Sequence, residues 1–310
     1  MAISAKDVKA LRDLTGAGMM DCKKALNETD GDMDAAVELL RKNGQAKAEK
    51  KAGRIAAEGV SLVAQKDDKT AAIVEVNSET DFVAKNEKFI NFVNAVAEQA
   101  LEADSEDMDA FLASAWKADA SKTVNDALVE QVAVIGEKLS IRRIKKVTAD
   151  NGVVVSYVHG GGRIGVLLSA ETETVNDTVK EALSNIAMQI AALNPKYICD
   201  ADVDEEYIKH ETEILKAQIE NDPKESQKPE KVKEGMIQGR IKKELKEVCL
   251  LDQAYVKAAD GKQTVAKYLE EVSKEVGATV TIKEFVRFET GEGIEKKEED
   301  FAEEVAKQLM

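Results

Sequence analysis

Apolar residues along the first 45 positions recur at the spacing of short amphipathic helices. The pattern predicts one helix that ends before Gly16 and a second that begins at Met19. A third is expected to begin after Asp32, a favourable N-cap residue, and to end at Gly44. Helices this short are unstable alone and must pack on one another. The sequence therefore predicts a small three-helix bundle.

Residues 45–59 mix Ala and Lys and contain few large apolar side chains. This composition is typical of a solvated helical connector. A basic tail that binds nucleic acid is the alternative, but the stretch is short and has no aromatic residue on which a base could stack. We therefore interpret it as a connector.

Two later regions follow one plan, in which a β-hairpin leads into a helix. In the first region, β-branched runs at 59–63 and 71–77 flank a polar turn. In the second, runs at 152–158 and 164–169 flank the glycines of 160–162. A three-stranded antiparallel sheet with helices on one face buries its apolar side well. The prediction is an α+β fold with a core duplicated in pattern, although the two regions share little sequence.

The helix that follows each hairpin has a single apolar face. That face comprises Phe89, Phe92, Val96 and Ala100 in the first region, and Val175, Val179, Leu183, Ile186, Ile190 and Leu193 in the second. Each region is expected to close with another helix and a strand. These lie at 124–139 and 141–147 in the first region, and at 264–276 and 280–288 in the second.

The second region carries an insert at about 200–250, a long polar helical stretch broken at Pro223 and Pro229. Because the prolines lie in a polar loop, the two helical limbs are expected to fold back as an antiparallel hairpin. The narrow apolar stripe of this hairpin fits a projecting arm or a homodimer surface better than a core. Beyond residue 291 the pattern predicts an acidic helix with an apolar stripe at Phe301, Val305 and Leu309.

These patterns divide the chain into four units. We expect a helical domain at 1–54, a first core subdomain at 55–148, a second at 149–290 that contains the insert, and a C-terminal module at 291–310. The first unit holds eleven Lys and Arg against nine Asp and Glu, whereas the whole chain holds 44 against 59. This uneven distribution of charge indicates separate modules.

The composition argues against several classes of protein. A net charge of −15 argues against broad contact with nucleic-acid phosphates, which requires a basic face. No apolar stretch approaches the roughly 20 residues that cross a bilayer, and the N-terminus lacks the apolar centre of a secretory signal. Three cysteines without a CxxC pair and two histidines predict buried free thiols and no metal or cofactor. We therefore expect a cytoplasmic protein that contacts neither nucleic acid nor membrane.

No arrangement of residues indicates catalysis. Gly160 to Gly165 match the GxGxxG dinucleotide fingerprint in form, but a β-branched run follows where the fingerprint requires a helix N-terminus. Neither histidine has a neighbouring Cys or Ser that suggests a nucleophile. His159, at the hairpin turn, is either an exposed functional residue or a residue that caps the turn, and the second is the plainer interpretation. The chain is predicted to be non-enzymatic.

Two polar segments contain large apolar side chains with no obvious place in a core. Phe82 lies in the strand-to-helix segment 78–86, where it either folds into the local core or is held out for a partner. The residues alone favour the core. Met19 and Met20 are adjacent and cannot both face one helix interior, so one of them is expected at the surface, where a flexible methionine suits a protein partner.

At these two segments the chain resembles the bacterial elongation factor Ts family. The run from Leu14 to Leu26, LTGAGMMDCKKAL, is similar to the N-terminal signature of that family, and TDFVA at Thr80–Ala84 is similar to its second hallmark. Further matches occur in the order of the family and span nearly the whole chain. They lie at Ile141–Arg143, Tyr157–Gly160, Arg163–Val166, Arg287–Glu289 and Gly291–Glu295.

This resemblance implies a translation elongation factor that exchanges guanine nucleotides on elongation factor Tu. Such a factor binds the GDP-bound partner, promotes GDP release and stabilises the nucleotide-free partner until GTP binds. The resemblance also implies a ubiquitin-associated-like N-terminal bundle, a two-part core with a helical-hairpin dimerisation insert, and a C-terminal module. A helical scaffold that binds partners without affecting nucleotides is the alternative.

The resemblance further implies roles for individual residues. Asp81, Phe82, Val83 and Ala84 are expected to displace Mg²⁺ from the nucleotide site of the partner. The residues expected to contact the partner are Met19, Met20, Lys23, Ile135, Gly136 and His159.

Overall fold

A computed structural model describes residues 3–295, and its first three helices form the predicted bundle. They are α1 (Ala5–Thr15), α2 (Met19–Glu28) and α3 (Met33–Lys51). Ser4 caps α1 in a reciprocal pair with Asp7, and the Asp32 carboxylate caps α3 by accepting from Ala35 N. The buried side chains of the bundle are Val8, Leu11, Cys22, Ala25, Leu26 and Ala36.

A three-stranded antiparallel sheet follows the bundle, in the order β1-β2-β5. The elements of this half are β1 (Glu58–Gln65), β2 (Thr70–Ser78), α4 (Asp81–Ala84), α5 (Glu87–Ala100), α6 (Met108–Ala113), β3 (Ala115–Trp116), β4 (Asp119–Thr123), α7 (Val124–Ile135) and β5 (Ser140–Thr148). Helix α5 crosses β1 and β2 and contributes four fully or nearly fully buried apolar side chains, as its periodicity predicted. These are Phe89, Phe92, Val96 and Ala100.

A second antiparallel sheet, in the order β6-β7-β8, repeats this arrangement. Its half of the chain contains β6 (Gly152–His159), β7 (Ile164–Glu171), α8 (Asp177–Leu193), α9 (Glu205–Asn221), α10 (Glu230–Val248), α11 (Val265–Val276) and β8 (Thr281–Glu289). Each sheet has one irregularity in its central strand, between Glu75 and Val76 in β2 and between Ser169 and Ala170 in β7. The α+β class is therefore confirmed.

The two sheets pack on each other through the faces that their helices leave open. Ala71, Ile73 and Val147 of the first sheet contact Val154 and Leu167 of the second in one buried cluster. Strand β2 is therefore covered on both faces, which explains its nearly continuous apolar sequence. This stacking fixes the two halves against each other, and the periodicity of the strands did not predict it.

A charged residue of β2, Glu75, is fully buried at the sheet interface. Its carboxylate accepts from Arg142 Nη1 at 3.1 Å, from Arg143 Nε at 2.6 Å and from Gly291 N at 2.8 Å. Two guanidinium groups and a backbone N–H compensate the charge, as a buried carboxylate requires. This cluster fastens the chain after β8 to the first sheet.

Two buried glutamines occupy the same position in the two halves. Gln99 and Gln189 are each the thirteenth residue of their helix, α5 and α8 respectively. Each donates to one backbone carbonyl and accepts from the backbone N–H two residues further on. The partners are Ala115 O and Lys117 N for the first, and Ala254 O and Val256 N for the second. Between each pair of partners lies a buried aromatic residue, Trp116 or Tyr255.

Helices α9 and α10 form the predicted hairpin. Tyr207 near the start of α9 donates to Glu244 near the end of α10 at 2.7 Å, so the two helices run antiparallel. Leu215, Ile219 and Ile237 form a small buried cluster between them. The polar loop at 222–229 joins the helices and contains both prolines.

The prediction that Gly44 ends the third helix is wrong, because α3 continues to Lys51. A Cβ atom at Gly44 would lie 3.3 Å from the Cβ of Ala133 in α7, so the missing side chain lets the two helices approach closely. Packing therefore outweighs the roughly 1 kcal/mol that glycine costs within a helix. The expected end of α7 at Leu139 is also wrong. That helix ends at Ile135 because Gly136 adopts a left-handed cap with φ of 88°.

Three smaller expectations also need correction. The predicted apolar stripe from Val175 to Leu193 is buried in its middle, but Val175 lies before the start of α8, and both Val175 and Leu193 are exposed. The connector is not solvated throughout, since Ala56 and Ala57 are buried. Cys22 and Cys249 are buried free thiols, whereas Cys199 is only half-buried.

Two further expectations concern the C-terminal helix and the absence of a membrane-spanning helix. The predicted acidic helix with Phe301, Val305 and Leu309 lies outside the described residues. Within residues 3–295, no helix combines the length and the apolar character needed to cross a bilayer.

Candidate functional site

The first junction, residues 78–86, connects β2 to α5 and contains the single-turn helix α4. Thr80 begins α4, and its hydroxyl accepts from Val83 N at 3.3 Å. Asn86 then caps α5 by accepting from Lys88 N at 2.9 Å. Two polar caps six residues apart leave room for one isolated turn between the strand and the helix.

Phe82 on this turn is 83% exposed, so the expectation of a core position is wrong. Side chains on a helix advance by about 100° per residue. Val83 packs partly against the core and Ala84 is buried, which turns Asp81 and Phe82 to the opposite side. The phenyl ring therefore stands in solvent, without the roughly 2–3 kcal/mol that its burial would contribute.

Asp81 and Lys85 form an ion pair along the outer face of the junction, with Nζ 2.7 Å from Oδ2. The hydrogen bond from Lys85 lowers the pKa of the Asp81 carboxyl below its usual value, and the same bond raises the pKa of Lys85. Both groups are exposed and are charged at neutral pH. The pair therefore places opposite charges on either side of Phe82 in the sequence.

A single carboxylate, that of Glu137, holds the start of the junction. Its Oε2 accepts from Glu79 N at 3.1 Å and from Thr80 N at 3.0 Å, and its Oε1 accepts from the Thr80 hydroxyl at 2.7 Å. In return, Lys138 N donates to Glu79 Oε1 at 2.5 Å. The sequence interpretation did not single out Glu137, and its position after the glycine cap of α7 was the only local signal.

The turn at Ile135 and Gly136 lies directly before Glu137, so the structure brings it to the first junction. Ile135 is half-buried and Gly136 is exposed. Lys51 at the end of α3 donates to Gly136 O, and Lys138 Nζ donates to Arg54 O at 2.7 Å. The N-terminal bundle, the turn after α7 and the first junction are thereby joined by hydrogen bonds.

Met19, Met20 and Lys23 lie together on the first two turns of α2, and all three are exposed. The sequence predicted only one methionine at the surface, whereas Met19 is 53% and Met20 is 74% exposed. Asp21 between them forms an ion pair with Lys47 of α3 at 2.9 Å. The start of α2 is therefore an apolar patch with charged neighbours.

His159 ends β6 and is exposed. Its Nδ1 lies 2.9 Å from the hydroxyl of Tyr157, so the side chain contacts its own strand. The turn is closed by the backbone instead, since Gly162 N donates to His159 O at 3.2 Å. Ser61 N in β1 donates to Gly162 O, so the turn after His159 contacts β1. Ser61 lies three residues after Glu58, which pairs with Ser78 at the start of the first junction.

The second junction, residues 172–176, leads from β7 to α8 and resembles the first at both ends. The Ser78 hydroxyl donates to Thr80 O at 3.1 Å, and the Thr172 hydroxyl donates to Thr174 O at 3.3 Å. Asn86 and Asn176 cap the helices that follow. Five residues separate Thr80 from Asn86, whereas one separates Thr174 from Asn176. The first junction is thus longer by four residues, the length of α4.

Nothing in this site resembles a catalytic or metal centre. Over the described part of the chain, no three His, Cys, Asp or Glu side chains are placed to hold a metal ion. The glycines that match the dinucleotide fingerprint form the turn between β6 and β7, and a strand follows them. What the arrangement offers is an exposed aromatic ring on a fixed turn, suited to contact with another macromolecule.

Comparison with known proteins gives one consistent result. A family model described as elongation factor TS matches residues 79–292. The elongation factor Ts of Clostridium novyi (strain NT) is 54% identical over 308 residues, which cover 99% of each chain. The elongation factor Ts of Clostridioides difficile (strain 630) is 53% identical over 308 residues, which again cover 99% of each chain. The elongation factor Ts of Clostridium tetani (strain Massachusetts / E88) is 50% identical over 309 residues, which cover 99% of this chain and 100% of the relative. The chain belongs to the elongation factor Ts family.

Proposed function

We propose that this chain is the guanine-nucleotide exchange factor of elongation factor Tu and acts in the cytoplasm during translation. The observation that carries the proposal is Phe82, an exposed ring on a turn whose start is held by five hydrogen bonds. Family membership supplies the identity of the partner. No bond of a substrate is made or broken, so the chain is not an enzyme in the chemical sense.

In this mechanism, Asp81, Phe82, Val83 and Ala84 enter the nucleotide site of the partner and displace Mg²⁺. The ion is the largest local positive charge at the phosphates, and its loss weakens GDP binding. A protein that prefers the nucleotide-free partner must, by linkage, weaken GDP binding by the same factor. Burial of the Phe82 ring in the partner contributes roughly 2–3 kcal/mol, or about 30–150-fold in an equilibrium constant.

Other exposed residues extend the contact surface. Ile135 and Gly136 adjoin the first junction, and His159 lies on the turn that reaches β1. A separate patch on α2 consists of Met19, Met20 and Lys23. The hydrogen bond from Lys51 to Gly136 O and the packing of α3 on α7 hold the bundle that carries this patch against the same half of the molecule. We propose that these residues contact the partner around the central Phe82.

We further infer the division of the chain at about residues 54, 148 and 290. The first unit is a ubiquitin-associated-like bundle, and the next two are a duplicated core. Separate buried clusters for the bundle and each sheet support this division, as do the matching glutamines and the matching ends of the two junctions. The exposed apolar residues Ile214 and Val232 on the helical hairpin support a role for this insert in homodimerisation.

The test of the proposed function is the release of fluorescent GDP from elongation factor Tu, followed by stopped flow with and without this chain. We expect strong acceleration by the wild-type chain. Phe82→Ala should slow stimulated release at least tenfold, because the ring no longer fills the emptied site. The matched control is Val175→Ala, an exposed apolar residue of the second junction, which should leave the rate unchanged.

Thermal unfolding of both variants checks that neither substitution disturbs the fold. Binding of the wild-type chain with an unchanged rate of GDP release would support the scaffold instead. Wild-type stimulation by Phe82→Ala would refute the role given to the ring while leaving the exchange function intact.

A further inference from the structure

We propose that Glu137 is the positioning residue of the exchange reaction. It sets the direction of the turn that carries Phe82 without touching the partner's nucleotide site itself. The proposal rests on the proposed function for its partner, and on the hydrogen bonds of this chain alone for its geometry. Its role is to hold the first junction in the binding geometry before the partner arrives.

The geometry fits this role because one side chain satisfies three donors at the point where β2 stops. Both backbone N–H groups of Glu79 and Thr80 reach Oε2, and the Thr80 hydroxyl reaches Oε1. The strand partners of β2 end at Glu58 and Ser140, so these N–H groups lie beyond the sheet pairing. Hydrogen bonds to a charged acceptor are stronger than hydrogen bonds to a neutral one. Glu137 therefore fixes the two residues that immediately precede Asp81.

The Thr80 hydroxyl couples this contact to the helical turn. It donates to Glu137 and at the same time accepts from Val83 N, as the N-cap of α4. The orientation of the hydroxyl is thus set by the carboxylate. A change at Glu137 therefore reaches the turn through the Thr80 hydroxyl, and Phe82 lies between Thr80 and Val83 in the sequence.

The second half of the chain supplies an internal comparison. Gly136 and Gly277 both end a helix with a left-handed cap, that of α7 and that of α11. Glu137 follows the first glycine, whereas Ala278 follows the second. Alanine has no acceptor, and the junction that it accompanies is the shorter one, without an exposed aromatic turn. The carboxylate occurs only with the longer junction in this pair.

Removal of the carboxylate should lower the fraction of molecules in which the turn is correctly placed. The apparent affinity for a partner falls by that fraction, whereas the rate within the formed complex is preserved. For Glu137→Ala we expect the concentration for half-maximal stimulation of GDP release to rise about tenfold, with the maximal rate within about twofold of wild type. Phe82→Ala, by contrast, should lower the maximal rate.

The experiment measures stimulated GDP release across a concentration series for the wild-type chain, Glu137→Ala, Glu137→Gln and Glu173→Ala. Glutamine keeps one acceptor oxygen for the backbone N–H groups, and it should restore the half-maximal concentration to within about threefold of wild type. Glu173→Ala alters an exposed glutamate of the second junction and should match wild type.

Amide hydrogen exchange of the isolated chains provides a readout that does not involve the partner. The N–H groups of Glu79 and Thr80 should exchange at least tenfold faster in Glu137→Ala and near the wild-type rate in Glu137→Gln. Unchanged protection of these two amides, or equal losses of maximal rate and affinity, would overturn the positioning role. If the wild-type chain fails to stimulate release while the amides behave as expected, only the proposed function is refuted.

Discussion

After the central strand of each sheet the chain turns into a helix, and the two turns can be compared residue by residue. The first junction and the second junction begin with the same hydroxyl-to-carbonyl hydrogen bond and end with an asparagine cap. Between these ends the first has four more residues, and they form the turn with Phe82. Of the four additional residues, Val83 and Ala84 pack toward the core, whereas Asp81 and Phe82 face solvent.

The same contrast extends to the supporting residues. Inside the fold, Gln99 and Gln189 make equivalent hydrogen bonds to equivalent backbone groups. At the surface, Glu137 holds the first junction, whereas Ala278 stands after the corresponding helix cap. The buried glutamines thus share one arrangement in the two halves, whereas the two junctions differ by a surface turn and the carboxylate beneath it.

Deletion of residues 81–84 should have the largest effect, because it gives the first junction the length of the second. We expect stimulated GDP release to fall at least about 100-fold, since the ring and its helical turn are both lost. The chain should still fold, at a cost of about 1–3 kcal/mol for the lost contacts of Val83 and Ala84. Stopped-flow release and thermal unfolding measure the two outcomes.

The reciprocal change is the control for this deletion. Insertion of Asp-Phe-Val-Ala between Thr174 and Val175 of the deleted chain should leave the rate of release low, because the second junction has no carboxylate at position 278 to hold the inserted turn. A deleted chain that retained full activity would contradict the comparison of the two junctions.

A smaller effect is expected from the matching glutamines. Gln99→Leu and Gln189→Leu each remove the side-chain partner of one backbone carbonyl and one backbone N–H, which should lower the free energy of unfolding by about 1–3 kcal/mol. Gln189→Leu should cost more, because the third hydrogen bond of Gln189, to Gln253 Oε1 at 3.1 Å, is shorter and more buried than that of Gln99 to Ser114 Oγ at 3.4 Å. Urea unfolding measures both values.

The exposed Gln218 of α9 provides a matched control for the two glutamine variants. Gln218→Leu should change the free energy of unfolding by less than about 0.5 kcal/mol. If only one of the buried glutamines proved to matter, the two halves would not share the interior plan described above. Stimulated GDP release should be the same for all three variants.

The smallest effect concerns pH and the Asp81–Lys85 pair, which has no counterpart in the second junction. The hydrogen bond from Lys85 lowers the pKa of Asp81. The ion pair therefore contributes to stability at pH values above the usual carboxyl pKa of 3.8, and this contribution is lost as the pH falls through the lowered pKa. We therefore expect no change in stimulated release from this pair between about pH 5 and 8. Carboxyl chemical shifts should place the midpoint of Asp81 below 3.8.

Lys85→Met tests the cause of this shift, and it should move the Asp81 midpoint back toward 3.8. An unchanged midpoint in this variant would show that backbone N–H groups, not Lys85, lower the pKa.

Much of the fold followed from local patterns. The periodic apolar residues of α5 and the middle of α8 predicted buried helix faces, and the β-branched runs predicted six strands in two sheets. Failures occurred where packing competes with local preference. Gly44 stays inside α3 because α7 lies against it, and Phe82 lies outside because Val83 and Ala84 take the inward positions.

The sequence by itself determined which segments are helices or strands, and the signature residues around Met19 and Phe82 determined the family. These depend on neighbours within a few residues or on a direct match of residues. Only the tertiary structure decided that the two sheets stack and that Phe82 is exposed. It also decided that Glu137 reaches a turn 57 residues earlier in the chain. Such contacts depend on how distant elements pack, and the spacing of residues along one element carries no record of them.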